Sequence, residues 1–199
     1  MAVYQKPKFW LGTLVIIVTV VINLVLLTLL LLSMLAVVFL LDVFLTGKTP
    51  LITTPLESRR KLIKILQPKE NSVFYDLGCG TASLLIECSK VFPSAKFIGI
   101  DNSPFSYVSS KIRARLNGSK NISIKFGNFF DSDLAQATHI YLWIFVKDID
   151  KLLKKFKSEL KSGTLVYSLD FAFSEKEPEK IIDLGRRKKF GHTLYVYKF

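Results

Sequence analysis

The sequence predicts an α/β protein: a doubly wound, mainly parallel seven-stranded sheet with an antiparallel C-terminal strand, preceded by an N-terminal transmembrane helix. Three observations carry this prediction. Residues 9 to 45 are almost continuously apolar, with Asn23 and Asp42 the only strongly polar side chains. From residue 73 onward, short β-branched and aromatic runs alternate with stretches of helical period. Residues 180 to 199, KIIDLGRRKKFGHTLYVYKF, read as strand, basic turn and strand, an antiparallel pair that closes the sheet edge.

As one helix, the apolar segment runs about 55 Å against a hydrocarbon core of about 30 Å. A single long helix that tilts or projects is the favoured reading, because only Asn23 offers a turn residue between Gly12 and Gly47. Two short spans of about 17 residues are the alternative. The run is too long for the apolar region of a cleaved signal peptide. Lys48, Arg59, Arg60, Lys61 and Lys64 follow it and only Lys6 and Lys8 precede it, which places the remainder on the cytoplasmic side. The same five residues suit anionic lipid head groups at about 1 kcal/mol each, or a solvated helix face. Phe9 and Trp10 sit where interfacial anchors are expected.

Lys+Arg number 28 against 16 Asp+Glu, a net charge of +12 with half the residues hydrophobic. That excludes a disordered chain. About +11 of the charge falls after Leu45, so an anionic neighbour is expected. The two cysteines, Cys79 and Cys88, form no disulfide framework or metal cluster, which suits a reducing, cytoplasmic compartment. His139 and His192 have no ligand-spaced partners, so no metal is expected.

Residues 53 to 66, TTPLESRRKLIKIL, open on a proline turn and continue as an amphipathic helix burying Leu56, Leu62, Ile63, Ile65 and Leu66. Strands follow at 73–77, 96–101, 121–126, 138–145 and 164–171, with helices at 81–92, 104–116 and 147–160. A short acidic connection separates the third strand from the fourth. Five β/α repeats and the closing pair divide the chain into an anchor (1–46), a juxtamembrane linker with a leading helix (47–72) and a globular domain (73–199).

The turn Asp76-Leu77-Gly78-Cys79-Gly80-Thr81-Ala82-Ser83 lies where the first strand hands over to its helix, a place where backbone amides approach a ligand. The dinucleotide fingerprint is incomplete, since Ser83 stands at its last glycine. Asp101, about 25 residues beyond Asp76, ends the second strand and is placed to accept from both hydroxyls of a ribose. Asn128 ends the third, where a polar side chain meets an adenine edge and Phe129 lies against the ring.

With these residues the chain resembles the class I, Rossmann-like S-adenosylmethionine-dependent methyltransferases, from about residue 53 to 199. DLGCGTA (76–82) is similar to that family's first motif, GID (99–101) to its second, and GNFFD (127–131) occupies the third. LKSGT (160–164) resembles the turn before its fifth strand. The resemblance implies S-adenosyl-L-methionine as cofactor, with Asp76, Gly78 and Gly80 at its methionine part, Asp101 at the ribose and Asn128 at the adenine amino group, and with Cys79, Asn102 and Phe129 among the cofactor-binding residues. Ala82 replaces the third glycine and Asn128 the more usual Asp. The anchor and the minimal domain are similar to the membrane-anchored protein-lysine methyltransferases of the ATP synthase c-subunit and their prokaryotic relatives. That implies a membrane-embedded protein substrate at a lipid bilayer.

Methyl transfer from a sulfonium is an in-line displacement in which positioning supplies most of the rate. A lysine acceptor must lose its proton, which an aromatic, apolar pocket promotes. Trp143 and Phe145, at the end of the fourth strand, are candidates to line that pocket, and Asp170, at the end of the fifth, to meet the amine. Asp131 and Asp133 are candidates to orient substrate or to cap a helix. LWIF (142–145) stands where nucleic-acid amino-methyltransferases often carry an N/D-P-P-Y/F element, which counts against nucleic acid as partner. The basic turn Arg186 to Lys189 suits phosphate or solvent equally. A lipid or isoprenoid acceptor, an RNA acceptor and a non-catalytic adaptor are the competing readings.

Overall fold

A computed structural model describes residues 6–46, 53–144, 146–185 and 190–199. The expectations placed on Lys48, on Phe145 and on the basic turn 186–189 lie outside the described residues. The chain divides into two compact units, Met1–Lys48 and Thr49–Phe199.

The first unit is one continuous helix, α1 (Lys6–Thr46). Its stretch Trp10–Leu41 has a mean hydropathy of 3.1 and is long and apolar enough to cross a membrane. The hydroxyls of Thr19, Thr28 and Ser33 and the amide of Asn23 donate to carbonyls three or four residues back in the same helix. These four polar groups are thus satisfied within the helix itself.

The second unit opens with α2 (Leu56–Leu66) and continues through β1 (Val73–Leu77), α3 (Ser83–Val91), β2 (Lys96–Asp101), α4 (Pro104–Leu116), β3 (Ile122–Phe126), β4 (His139–Leu142), α5 (Val146–Glu159), β5 (Leu165–Leu169), β6 (Lys180–Asp183) and β7 (Thr193–Lys198). The seven strands form one sheet in the order β3-β2-β1-β4-β5-β7-β6. β7 runs antiparallel to both neighbours, and the pairings among the first five are parallel.

Alternation along the strands divides the core in two. On one face Phe74, Phe97, Tyr141, Tyr167 and Leu169 pack against Leu62 and Leu66 of α2 and Leu84, Leu85, Ile86 and Cys88 of α3. On the other, Tyr75, Leu77, Ile100, Ile140, Leu142 and Val166 pack against Ile149, Leu152, Leu153 and Phe156 of α5. β1 is central and its last four residues are buried, the near-continuous apolar reading of a parallel strand covered on both faces. His139 stacks between Phe74 and Tyr167, and burial lowers its pKa, so it is a neutral core residue.

Several expectations need correction. Of the five expected β/α repeats the third carries no α-helix: its connection, short and acidic as the sequence suggests, holds a single 3-10 turn, Phe129–Asp131. Leu134, Ala137 and the partly buried Phe129 and Phe130 take the helix's place against the sheet. No helix joins β5 to β6 among the described residues. Leu56 is exposed rather than buried, and Ser58 takes an inward position instead, its hydroxyl donating to the Gly191 carbonyl at 2.5 Å. The fourth strand ends at Leu142, leaving Trp143 beyond the sheet.

Gly99 in β2 shows how tightly the sheet and the glycine turn are fitted. A Cβ there would lie 2.7 Å from the Cys79 sulfur and 2.8 Å from a Leu85 methyl. Gly99→Ala is therefore expected to destabilise the unit by about 1–3 kcal/mol through overpacking, read as a lower midpoint of denaturant unfolding for the full chain in detergent.

Candidate functional site

The strand order reverses direction at β1, which lies between β2 and β4, and the carboxyl ends of open α/β sheets bind ligands at such a switch point. The turn leaving β1 there is built from left-handed residues: Gly78 at φ 80°, Gly80 at 52° and Ala82 at 55°. A side chain on Gly78 would meet nothing within 4 Å, so the turn borders open space. Ala82 is fully buried just before α3 and holds the left-handed conformation in spite of its Cβ, at a cost of about 1–2 kcal/mol.

Two contacts fix this turn. The amides of Gly78 and Cys79 both donate to the Ile100 carbonyl, at 2.8 and 3.1 Å. Asp101 then accepts from the Gly80 amide through Oδ2 and from the Ser103 amide through Oδ1, both at 2.9 Å. One carboxylate thereby joins the glycine turn, the end of β2 and the start of α4, where Ser103 caps the helix by accepting from Ser106. Each carboxylate oxygen has a second lone pair for a further donor.

Beside the turn lies an open pocket lined by Thr53, Thr54, Asp76, Gly78, Cys79, Ser83, Leu84, Tyr141 and Trp143. Asp76 is 4% exposed, and burial, with the Asp101 charge adding to it, pushes its pKa up to about 8. None of the described lining residues is basic, so this carboxylate has no cation within the pocket wall. Cys79 is a free, buried thiol whose pKa burial drives far upward, with Asp76 and Asp101 contributing, which makes it a packing residue and not a nucleophile. Tyr141 pairs with Asp76 in strand register and shares a 2.9 Å hydrogen bond with Thr54.

Trp143 and Asp170 meet directly: the indole Nε1 donates to Asp170 Oδ2 at 3.0 Å. Asp170 also accepts from the amides of Gly191, His192 and Thr193 at 2.5, 3.0 and 3.3 Å. Its carboxylate is thus engaged by four N–H donors, and its evident work is to pin the β7 approach and hold the indole at the pocket wall.

The sequence-derived residues fall into three groups. Asp76, Gly78, Cys79 and Trp143 line one pocket. Gly80 and Asp101, with the half-buried Asn102 next in chain, border it across the turn. Asn128 and Phe129 stand apart at the end of β3. Asn128 is exposed and its Oδ1 accepts from the Phe130 amide at 3.1 Å, while Phe129 packs on Phe130 at a ring separation of 4.8 Å. Asp133 closes a local turn onto the Ala135 amide rather than capping a helix. Thr53, Thr54, Tyr141 and Leu84 of the pocket wall carry no motif in the sequence, and Ser83 enters it only as the residue at the fingerprint's last glycine. Tyr141 was the one accessible to pattern, since aligning the fourth strand beside the first sets it next to Asp76.

Comparison with known proteins bears on this geometry. A family model described as ANTKMT methyltransferase domain matches residues 76–180. A protein-lysine N-methyltransferase of Saccharolobus islandicus is 29% identical over 74% of this chain and 92% of its own length. A carboxy-S-adenosyl-L-methionine synthase of Campylobacter fetus is 31% identical over 58% of this chain and 48% of its own. Among solved structures, an RNA methyltransferase of Salinibacter ruber in complex with S-adenosyl-L-homocysteine superposes with a TM-score of 0.68 at 25% identity, covering 74% of this chain and 93% of that one.

The residues present fit such a ligand. A buried carboxylate held largely protonated near neutrality, in a wall without basic groups, favours a cationic ligand. S-adenosylmethionine carries a sulfonium and an ammonium. The cation favours ionised Asp76, so binding expels the proton. Affinity is therefore expected to strengthen as pH rises toward about 8, by up to tenfold per unit, and to level off above it. Titrating S-adenosylmethionine calorimetrically from pH 6 to 9 checks this, and Asp76→Asn is expected to bind more weakly and to abolish the dependence.

Proposed function

The chain belongs to the ANTKMT methyltransferase-domain family and is an S-adenosylmethionine-dependent methyltransferase; we propose that α1 holds it at a membrane and that its acceptor is a lysine amine of a membrane-embedded protein. The observation that carries the acceptor is the protein-lysine N-methyltransferase relative, matched over 92% of its own length. The pocket chemistry supports it. Bound S-adenosylmethionine supplies a methyl group on a positively charged sulfur, ready for in-line attack by a lone pair. Asp76 and the glycine turn would hold the cationic end, and Asp101 would offer its free lone pairs to hydroxyls.

An entering lysine must present a neutral nitrogen. Leu84, Tyr141 and Trp143 make part of the wall apolar or aromatic, which disfavours the ammonium form. The Tyr141 phenol is a poor base partner, its own pKa pushed well above the ordinary value by burial, against the lowering effect of Thr54. The amine therefore sheds its proton to water before or during entry, and Trp143, oriented by Asp170, fixes its approach.

Anchoring is supported by the length, apolarity and internal hydrogen bonding of α1. A tethered enzyme meets membrane-bound acceptors at a raised effective concentration. The excess of basic residues after α1, among them Arg59, Arg60, Lys61 and Lys64, favours the cytoplasmic side and contact with anionic head groups.

An RNA acceptor is the second reading, favoured by the Salinibacter neighbour and the net charge of +12. Incubating the full chain with host membranes and methyl-labelled S-adenosylmethionine separates the two. Label expected in protein resists ribonuclease and organic extraction and is recovered as methyl-lysine on hydrolysis; label in RNA or in the lipid extract overturns the lysine reading. Trp143→Ala is expected to lower kcat about 10²-fold through lost positioning. Trp143→Phe, which keeps a ring but loses the bond to Asp170, is expected to cost roughly 10-fold.

A further inference from the structure

α4 is amphipathic in the wrong sense for a helix packed on a sheet. Its buried positions are small, Ser106, Ser110 and Ala114, while Val108, Ile112 and Leu116 are 53%, 54% and 80% exposed. At about 100° per residue these three fall within an arc of roughly 80°, on the side opposite the buried serines, and Phe105 extends the same stripe. Lys111 and Arg115 flank it on one side and Arg113 on the other. Beyond Lys111 its ammonium lies 4.9 Å over the Tyr107 ring, and Tyr107 in turn packs on Phe126, itself 57% exposed, at 5.6 Å. From residue 102 to residue 130 the chain carries Lys111, Arg113, Arg115, Lys120 and Lys125 and no acidic residue.

A water-facing helix gains nothing from turning large aliphatics outward and serines inward, so the outer face has an apolar partner. We propose that α4 docks its outer face into the interface of an anionic lipid bilayer. Val108, Ile112 and Leu116 enter the boundary between head groups and acyl chains, and the basic flanks meet lipid phosphates. Apolar stripe, cationic borders and absence of acids together form the pattern of an interfacial helix. A second copy of the chain would place five uncompensated cations against their like, and nothing acidic in this segment relieves that. Docking would give the catalytic unit a second hold on the membrane and limit its orientations there. The inference rests on the membrane reading of α1 only for the tether that keeps α4 near a bilayer.

Site-directed spin labelling of the full chain tests it. Cys79 and Cys88 are both buried, so a nitroxide reagent reads an introduced cysteine. Labels at Ile112→Cys and Leu116→Cys are compared with Lys154→Cys at an exposed position of α5 and with Leu30→Cys within α1, in vesicles of phosphatidylcholine alone or mixed equally with phosphatidylglycerol. In the anionic vesicles the α4 labels are expected to gain oxygen accessibility over that of a water-soluble nickel chelate several-fold relative to Lys154→Cys. Lys111→Glu with Arg115→Glu is expected to reverse this, each lost cation costing about fivefold in the docked population. An α4 label that stays nickel-accessible while the α1 label is in lipid overturns the docking and leaves the anchor standing; a nickel-accessible α1 label overturns the anchor by itself. Protection equal in both lipid mixtures, or lost on dilution to one chain per vesicle, also overturns the inference, the latter in favour of a second copy.

Discussion

A parallel sheet has to be covered on both faces, and most of this molecule follows from that requirement. Each return to the same sheet edge brings a connection across one face, so α2, α3 and α4 lie on one side and α5 on the other. The strands' carboxyl ends are the margin that the connections leave open. Where the chain is too short for a helix, between β3 and β4, Phe129, Phe130, Leu134 and Ala137 supply the apolar cover. The closing strands need no crossover because β7 runs antiparallel.

At that open margin two carboxylates divide the work by environment. Asp76 sits on the helix-covered face at the end of β1, nearly buried and without a cation among the described residues of the pocket wall, so its ionised form is favoured by a ligand's charge. Asp101 sits where backbone amides reach it and spends half of its acceptor capacity on Gly80 and Ser103. It is as much a fastener of the turn as a ligand group. Asp170 is engaged still further, its carboxylate taken up by three amides and an indole. A carboxylate at a strand end is thus read by its donors before it is given a chemical part.

Charge and apolar surface are distributed on a larger scale in a related way. α1 exposes apolar side chains along its candidate span, and α4 exposes a shorter apolar stripe between basic flanks. Both are costly in water and favourable at a lipid boundary, and the basic excess of the chain adds an attraction to anionic lipid.

The seven strands, their sequence order and the antiparallel close were legible in the chain because period-2 alternation and the glycine turns record them locally. So were the single long α1, for want of turn residues, and the left-handed glycine turn after Asp76, because such a turn is contiguous in sequence. What the chain could not record was pairing across distance. That Thr54 meets Tyr141 and that Trp143 is held by Asp170 depend on which strands become neighbours and on which groups are left over once the ladders are made. The outward face of α4 belongs to the same class: its spacing is written in the sequence, but the side that faces water is decided only when Ser106, Ser110 and Ala114 are the residues small enough to lie against the sheet.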